Sequence, residues 1–418
     1  KTPCWGSLEA AEGAYDTNRT PKEVACGSQL TLAVMEDGKV FVWGNGYLGC
    51  HEKSKNSAGK RFSPRSKGIT KTRIPRCIAS LSNIKSVAVG CQDHCLALAK
   101  DGFVWSWGAG AGGKLGHGDL LDVEHPKQIE GLYNVSTISV GEMHSCALNH
   151  QGVLYTWGSS KAGQVGHGTD VDMVVRPTSI KTFIQKQLFV LKISCGMNHT
   201  AVIAADQTDV RTIVNGRGEA PNRLEIIQKN IDTMATSLWT WGWGEHGRLG
   251  IDNTFDGDNF ACCDPIRVDL PTNIRDVSAG GSHTIVVTST FEMLGWGNNE
   301  FGQVGCALQN VERDNDGASF VRAPSVINMG EHKDSVSIAS VSCGFAHSAA
   351  VSTKGRVFVW GWNEQGQLGL GDEISRYEPT LLSIMECVRS TDVSLGRAHT
   401  SIVTERRPWV SVNALNKS

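Results

Sequence analysis

The chain is built from short segments in which apolar and polar residues alternate, each bounded by Gly-rich turns. Alternation with a period of two puts successive side chains on opposite faces of an extended backbone, so the pattern predicts strands. Pairs of segments flank a turn dipeptide. Asp37-Gly38 precedes Lys39 to Trp43, Asp101-Gly102 precedes Phe103 to Trp107, and Lys354-Gly355 precedes Arg356 to Trp360. Such dipeptides supply the positive φ angles of a tight turn, which makes each pair a hairpin. After Trp107 comes a further turn, Gly108-Ala109-Gly110 to Gly116-His117-Gly118, where the backbone must bend with no side chain in the way.

Two signatures keep these segments in register. The first is Gly-x-x-His-Ser/Thr, as Gly141-Glu142-Met143-His144-Ser145, Gly196-Met197-Asn198-His199-Thr200, Gly280-Gly281-Ser282-His283-Thr284, Gly344-Phe345-Ala346-His347-Ser348 and Gly396-Arg397-Ala398-His399-Thr400. Two copies deviate: Gly90 has an extra residue before His94, and Gly27 is followed by Leu30 where His is expected. The second signature is Trp-Gly, at Trp43, Trp107, Trp157, Trp241, Trp296 and Trp360, which follows the His position by 13 residues in every unit but the one after His199. Each unit therefore holds about four short strands, the anatomy of a propeller blade. The last unit has no Trp-Gly, whereas Trp5-Gly6 at the N-terminus has no Gly-x-x-His before it. Joining the two ends predicts a single all-β domain over residues 1–418, a seven-bladed β-propeller. Its ring is closed by pairing N- and C-terminal strands in one blade, which leaves no bare strand edge.

These elements resemble the regulator of chromosome condensation family, and the resemblance covers essentially the whole chain. The family includes exchange factors, ubiquitin-ligase substrate modules, ciliary scaffolds and a photoreceptor, so the fold alone does not assign a function. In the family's exchange factor for the GTPase Ran, an Asp just before the repeat His contributes to nucleotide release. Asp93 has that place here, and the resemblance implies that it faces a small GTPase with Glu142, on the next blade, as its neighbour. A carboxylate there can compete for the P-loop Lys or disturb Mg²⁺. The plant ultraviolet-B photoreceptor places Trp directly after the repeat Gly. This chain departs from that pattern, with Ser28, Cys91, Glu142, Met197, Gly281, Phe345 and Arg397 at those positions.

Charge narrows the possible partners. Forty Lys plus Arg stand against 42 Asp plus Glu, so no global basic field draws the chain to nucleic acid or membrane surfaces. Locally, residues 52–76 form a basic inter-blade loop carrying Lys53, Lys55, Lys60, Arg61, Arg65, Lys67, Lys71, Arg73 and Arg76 against Glu52 alone. This loop is a candidate contact for nucleic acid, an acidic protein surface or an anionic surface. Residues 205–237 form an insertion in which Leu224, Ile227, Ile231 and Met234 recur at helical spacing behind Pro221. That spacing predicts a short helix that either packs on the rim or serves as an arm for a partner.

The thirteen Cys include no CxxC couple, so neither a disulfide framework nor a zinc site is signalled, and Cys26, Cys195 and Cys343 read as packing. The repeat His residues read as braces for their own strand turns rather than metal ligands, and no metal or other cofactor is expected. No nucleophile elbow, P-loop or paired-carboxylate motif appears, so bond-making chemistry is not expected. No apolar run has membrane length. The sequence thus points to a monomeric intracellular binding protein, cytoplasmic or nuclear, that regulates a small GTPase, with a non-catalytic scaffold or adaptor as the alternative.

Overall fold

A computed structural model describes residues 20–50, 70–215, 227, 230–251, 260–306, 311–313, 317–330, 336–385, 388–405 and 410–413. Their strands form seven antiparallel sheets. The first runs Pro21–Cys26, Leu30–Met35, Val40–Asn45 and Lys71–Cys77 from one edge to the other. The next five repeat this order, the fifth sheet adding the short outer strand Glu312–Arg313. The last holds Ser390–Leu395, His399–Thr404 and Val410–Asn413. First strands of successive sheets pack on one another, and Ser390–Leu395 packs on Pro21–Cys26, so the sheets close into an all-β propeller.

The first strands line the ring's centre and are tied together by side chains. Cys26 N donates to Ser394 Oγ at 3.0 Å, Cys195 N to Ser139 Oγ at 3.0 Å, Ala279 N to Ser194 Oγ at 2.9 Å and Cys343 N to Ser278 Oγ at 2.9 Å. Carboxylates do the same one turn of the pleat away: Val24 N donates to Asp392, Val87 N to Glu23 and Val341 N to Asp276, which also pairs with Lys192. Backbone donors on these inner edges thus find partners in the neighbouring sheet.

The outer edges carry proline. Pro75, Pro126, Pro177, Pro265, Pro324 and Pro379 each stand in the fourth strand of a sheet, and the pairing register shifts beside each one. Proline cannot donate to a ladder, so these edges resist pairing with other chains. The sequence reading did not single out this repeat of prolines.

One expectation changes, and a second lies mostly outside the described residues. Opposite His399–Thr404, the strand in the Trp-Gly position is Val410–Asn413, with Val412 facing Thr400 as Trp157 faces Ser145. It comes from the C-terminus, whereas Trp5-Gly6 lies outside the described residues. Within the insertion the described residues include a helix at Gln207–Asn215, with Asp206 Oδ1 accepting from Thr208 N at 2.7 Å as its N-terminal cap. Ile227 is helical and Ile231 begins a short 3-10 turn, while Leu224 and Pro221 lie outside the described residues. Val210, Ile227, Ile231 and Met234 are buried with Phe189, Leu238 and Ile274, so this part of the insertion packs onto its sheet.

Because successive strands run antiparallel, loops alternate between the two faces of the ring. The Gly-x-x-His loops and the Gly-rich turns after Trp-Gly share one face. The Asp-Gly hairpin turns, and with them the insertion, lie on the other.

Candidate partner-binding face

The face that carries the Gly-x-x-His loops is shaped by one buried network. A Cβ added to Gly141 would stand 2.2 Å from His144 Cε1, so the glycine is required by the imidazole lying against it. The imidazole reaches the next sheet instead of bracing its own turn: His144 Nε2 bonds Thr200 Oγ1 at 2.9 Å, and Thr200 Oγ1 donates to Gln164 O at 2.9 Å. Trp241 Nε1 donates to the same carbonyl at 2.9 Å. The pattern recurs at His94–Ser145, His199–Thr284, His283–Ser348, His347–Thr400 and His399–Thr31. Burial pushes the imidazoles of His283 and His347 down to about 3, so they are neutral there. His, Ser/Thr and Trp-Gly are thus three parts of one joint between sheets.

The joint between the first and second sheets is built differently. Leu30 replaces the His, and Cys95 stands where the partner hydroxyl would be. A missing donor thus faces a missing acceptor, and both side chains are fully buried. The extra residue of the second loop is accommodated at the same place, where Asp93 takes a left-handed φ of 52°.

Asp93 is half-buried beside Gly46, where an added Cβ would lie 3.1 Å from Asp93 Oδ1. Burial pushes its carboxyl up, opposed by the Lys114 ammonium. Lys114 is itself buried, with Nζ 3.5 Å from Met143 Sδ. Burial pushes Lys114 down, while Asp93, Asp122 and Glu142 pull it back up. Glu142 Oε1 accepts from Gln92 Nε2 at 2.8 Å and its Oε2 from Asn198 Nδ2 at 3.4 Å. Tyr47 donates to Asp122 Oδ2 at 2.5 Å, which pushes the phenol up to about 12. The two acids singled out from the sequence are therefore brought together, and the structure adds Lys114, Asp122 and Tyr47. Spacing could not reveal these three, because each comes from a turn after Trp-Gly. Asp93, Asp122 and Glu142 thus all act electrostatically on one buried ammonium.

Of the basic loop, Lys71, Arg73 and Arg76 are exposed on the outer strand Lys71–Cys77, and Lys53, Lys55, Lys60, Arg61, Arg65 and Lys67 lie outside the described residues. Thr70 O accepts from Gly46 N at 2.8 Å, so the loop rejoins the fold beside Asp93. Among the remaining Trp, Trp239 is buried edge-on against Phe183, with ring centroids 5.7 Å apart. One cluster was missed altogether: His144 and Cys146, two residues apart on one strand, meet Cys195 from the next sheet, 49 residues beyond Cys146.

Gly-x-x-His and Trp-Gly units repeated around a closed ring of sheets define a β-propeller repeat protein. The model of the regulator of chromosome condensation (RCC1) repeat matches residues 101–148, 151–203, 237–287, 292–351 and 354–403, and the chain belongs to that family. The ultraviolet-B receptor UVR8 of Arabidopsis thaliana is 29% identical over 87% of this chain and 70% of its own length. The human E3 ubiquitin-protein ligase HERC2 is 27% identical over 96% of this chain, which spans 7% of that protein. Among solved structures, human WBSCR16 superposes with a TM-score of 0.71 at 20% identity, covering 93% of this chain and 88% of that one. Prp20p of Saccharomyces cerevisiae, whose structure was described with its binding properties to Gsp1p and histones, gives 0.68 at 21% identity over 95% of this chain and 83% of that one. These two show the shared fold. Among the described residues no helix is long and apolar enough to cross a membrane.

Proposed function

We propose that this chain is a binding propeller that regulates a small GTPase of the Ras superfamily, engaging it through the face that carries Asp93 and accelerating nucleotide release. The observation that supports the reading most is that Asp93, Glu142 and Asp122 all act on buried Lys114, with Asp93 in the one Gly-x-x-His loop that carries an extra residue. A partner's P-loop Lys presented to these carboxylates would trade its phosphate contacts for them, loosening the nucleotide. Prp20p, described with its binding to Gsp1p, and the retinitis pigmentosa GTPase regulator homologue of Caenorhabditis elegans, 24% identical over 91% of this chain and 28% of its own length, lend the reading weight. The basic residues of 52–76 adjoin the same face and would meet an acidic or phosphate-bearing surface, whereas the insertion offers the opposite face to a second protein.

Release of a fluorescent GDP analogue from a panel of small GTPases tests this. Wild type should accelerate release, and Asp93→Ala should lower the acceleration about tenfold, equivalent to ~1.4 kcal/mol in the barrier. No acceleration across the panel would leave the adaptor reading. We also take the ring to have seven blades, because the described strands fall into seven sheets whose first strands pack on one another in a closed series.

A further inference from the structure

Between the third and fourth sheets lies a group of donors that partner binding does not use. His144, Cys146 and Cys195 are buried, and one ligand atom from each lies within 4.8 Å of the other two. The Sγ atoms of Cys146 and Cys195 are 3.2 Å apart. Among the described residues this is the one place where three such donors meet in this way.

The repeat provides its own control. At the register position of Cys146 the other sheets place Leu32, Leu96, Ala201, Ile285, Ala349 and Ser401. Five of these six sheets therefore fold with a hydrocarbon there and one with a hydroxyl, so packing does not require a thiol. The hydrogen-bond relay also fixes the imidazole's protonation. Thr200 Oγ1 uses its proton on Gln164 O, so it accepts from His144, whose proton must sit on Nε2. Nδ1 then carries a lone pair, is buried and has no hydrogen-bond partner. The imidazoles of His94, His199, His283 and His347 share this tautomer by the same relay, but at this joint the lone pair adjoins two thiols.

We propose that His144 Nδ1, Cys146 Sγ and Cys195 Sγ bind one copper(I) ion. Thiolates are soft ligands that select copper(I), and a dry three-donor site suits its low coordination number, whereas structural zinc sites close with four ligands. On binding, both thiols lose a proton to solvent, the imidazole stays neutral, and the metal arrives and remains as copper(I). The ion would fasten the third sheet to the fourth and raise the stability of the ring.

The full chain, expressed in copper-supplemented cells and purified under reducing, oxygen-free conditions, should carry about one copper per chain by elemental mass spectrometry. Absorption at the copper edge should show sulfur and nitrogen neighbours. Cys146→Ala, which copies Ala201 and Ala349, should fold and lose the copper at least tenfold, whereas Cys343→Ala at another joint should keep it. Recovery of wild type without copper, with zinc instead, or with Cys146 and Cys195 joined as a disulfide would overturn the proposal. So would copper retained by Cys146→Ala.

Discussion

At the scale of the residue, the glycine that opens each repeat and the histidine three positions later are fixed by contact rather than by backbone angle. Gly141→Ala drives a methyl into His144 and should cost about 2 kcal/mol or more. Gly168, whose φ is +91° with nothing within 4 Å of an added Cβ, should lose only about 1 kcal/mol as Ala. Thermal melts of the two variants make the comparison. Buried titrating groups predict a pH dependence of stability in both directions. Burial pushes the Glu23 carboxyl up from 4.5 to about 7, so its contribution is full at low pH and is lost as pH rises through that value. His283 and His347 are pushed down to about 3, so their contribution is full above about 6.5 and is lost on acidification. Melts of Glu23→Gln should therefore lose less stability than wild type between about pH 5 and pH 8, while the acid limb stays as it was. Parallel curves for the two proteins would count against the account of Glu23.

At the scale of the element, joints between sheets behave as units. Leu30→His alone buries an imidazole without its hydroxyl partner and should destabilise by about 2 kcal/mol. Adding Cys95→Ser restores the arrangement of the other joints, and a double-mutant cycle should return a favourable coupling of about 1 kcal/mol. The helix Gln207–Asn215 was legible in part. Asp206 followed by Val210 and Ile213 is a capped, apolar-faced pattern, but the later run from Leu224 to Met234 has the same spacing and drew the expectation downstream. Spacing alone does not say whether apolar residues lie on one helix or are gathered onto a sheet by successive turns. Ile227 is helical, Ile231 begins a 3-10 turn, and both are buried with Met234 against the sheet. Asp206→Ala should lower the denaturant midpoint through the lost cap.

At the scale of the whole molecule, the ring separates two faces that carry different loops. Lys71 and Arg73 adjoin the Asp93 face, whereas exposed Arg211 sits on the insertion helix of the other face. Reversing Lys71 and Arg73 to Glu should slow association with an acidic GTPase surface about tenfold at low salt and flatten its salt dependence. Arg211→Glu should leave that rate unchanged. Stopped-flow binding separates the cases, and equal effects from both faces would contradict the placement of the partner.

The sequence by itself determined the strands, the hairpin turns, the repeat register and the family, because alternation and turn angles are local properties written within a few residues. It also brought Asp93 and Glu142 forward together, since both occupy a known place in the repeat. Only the tertiary structure decided what crosses a joint: which hydroxyl each histidine meets, that Lys114 lies beneath the acids, that Val410–Asn413 fills the third place of the last sheet, and that His144 and Cys146 meet Cys195. Thr31 and His399 stand 368 residues apart yet bond at 3.0 Å. Such contacts depend on how the ring closes, and no local pattern of polarity records that closure.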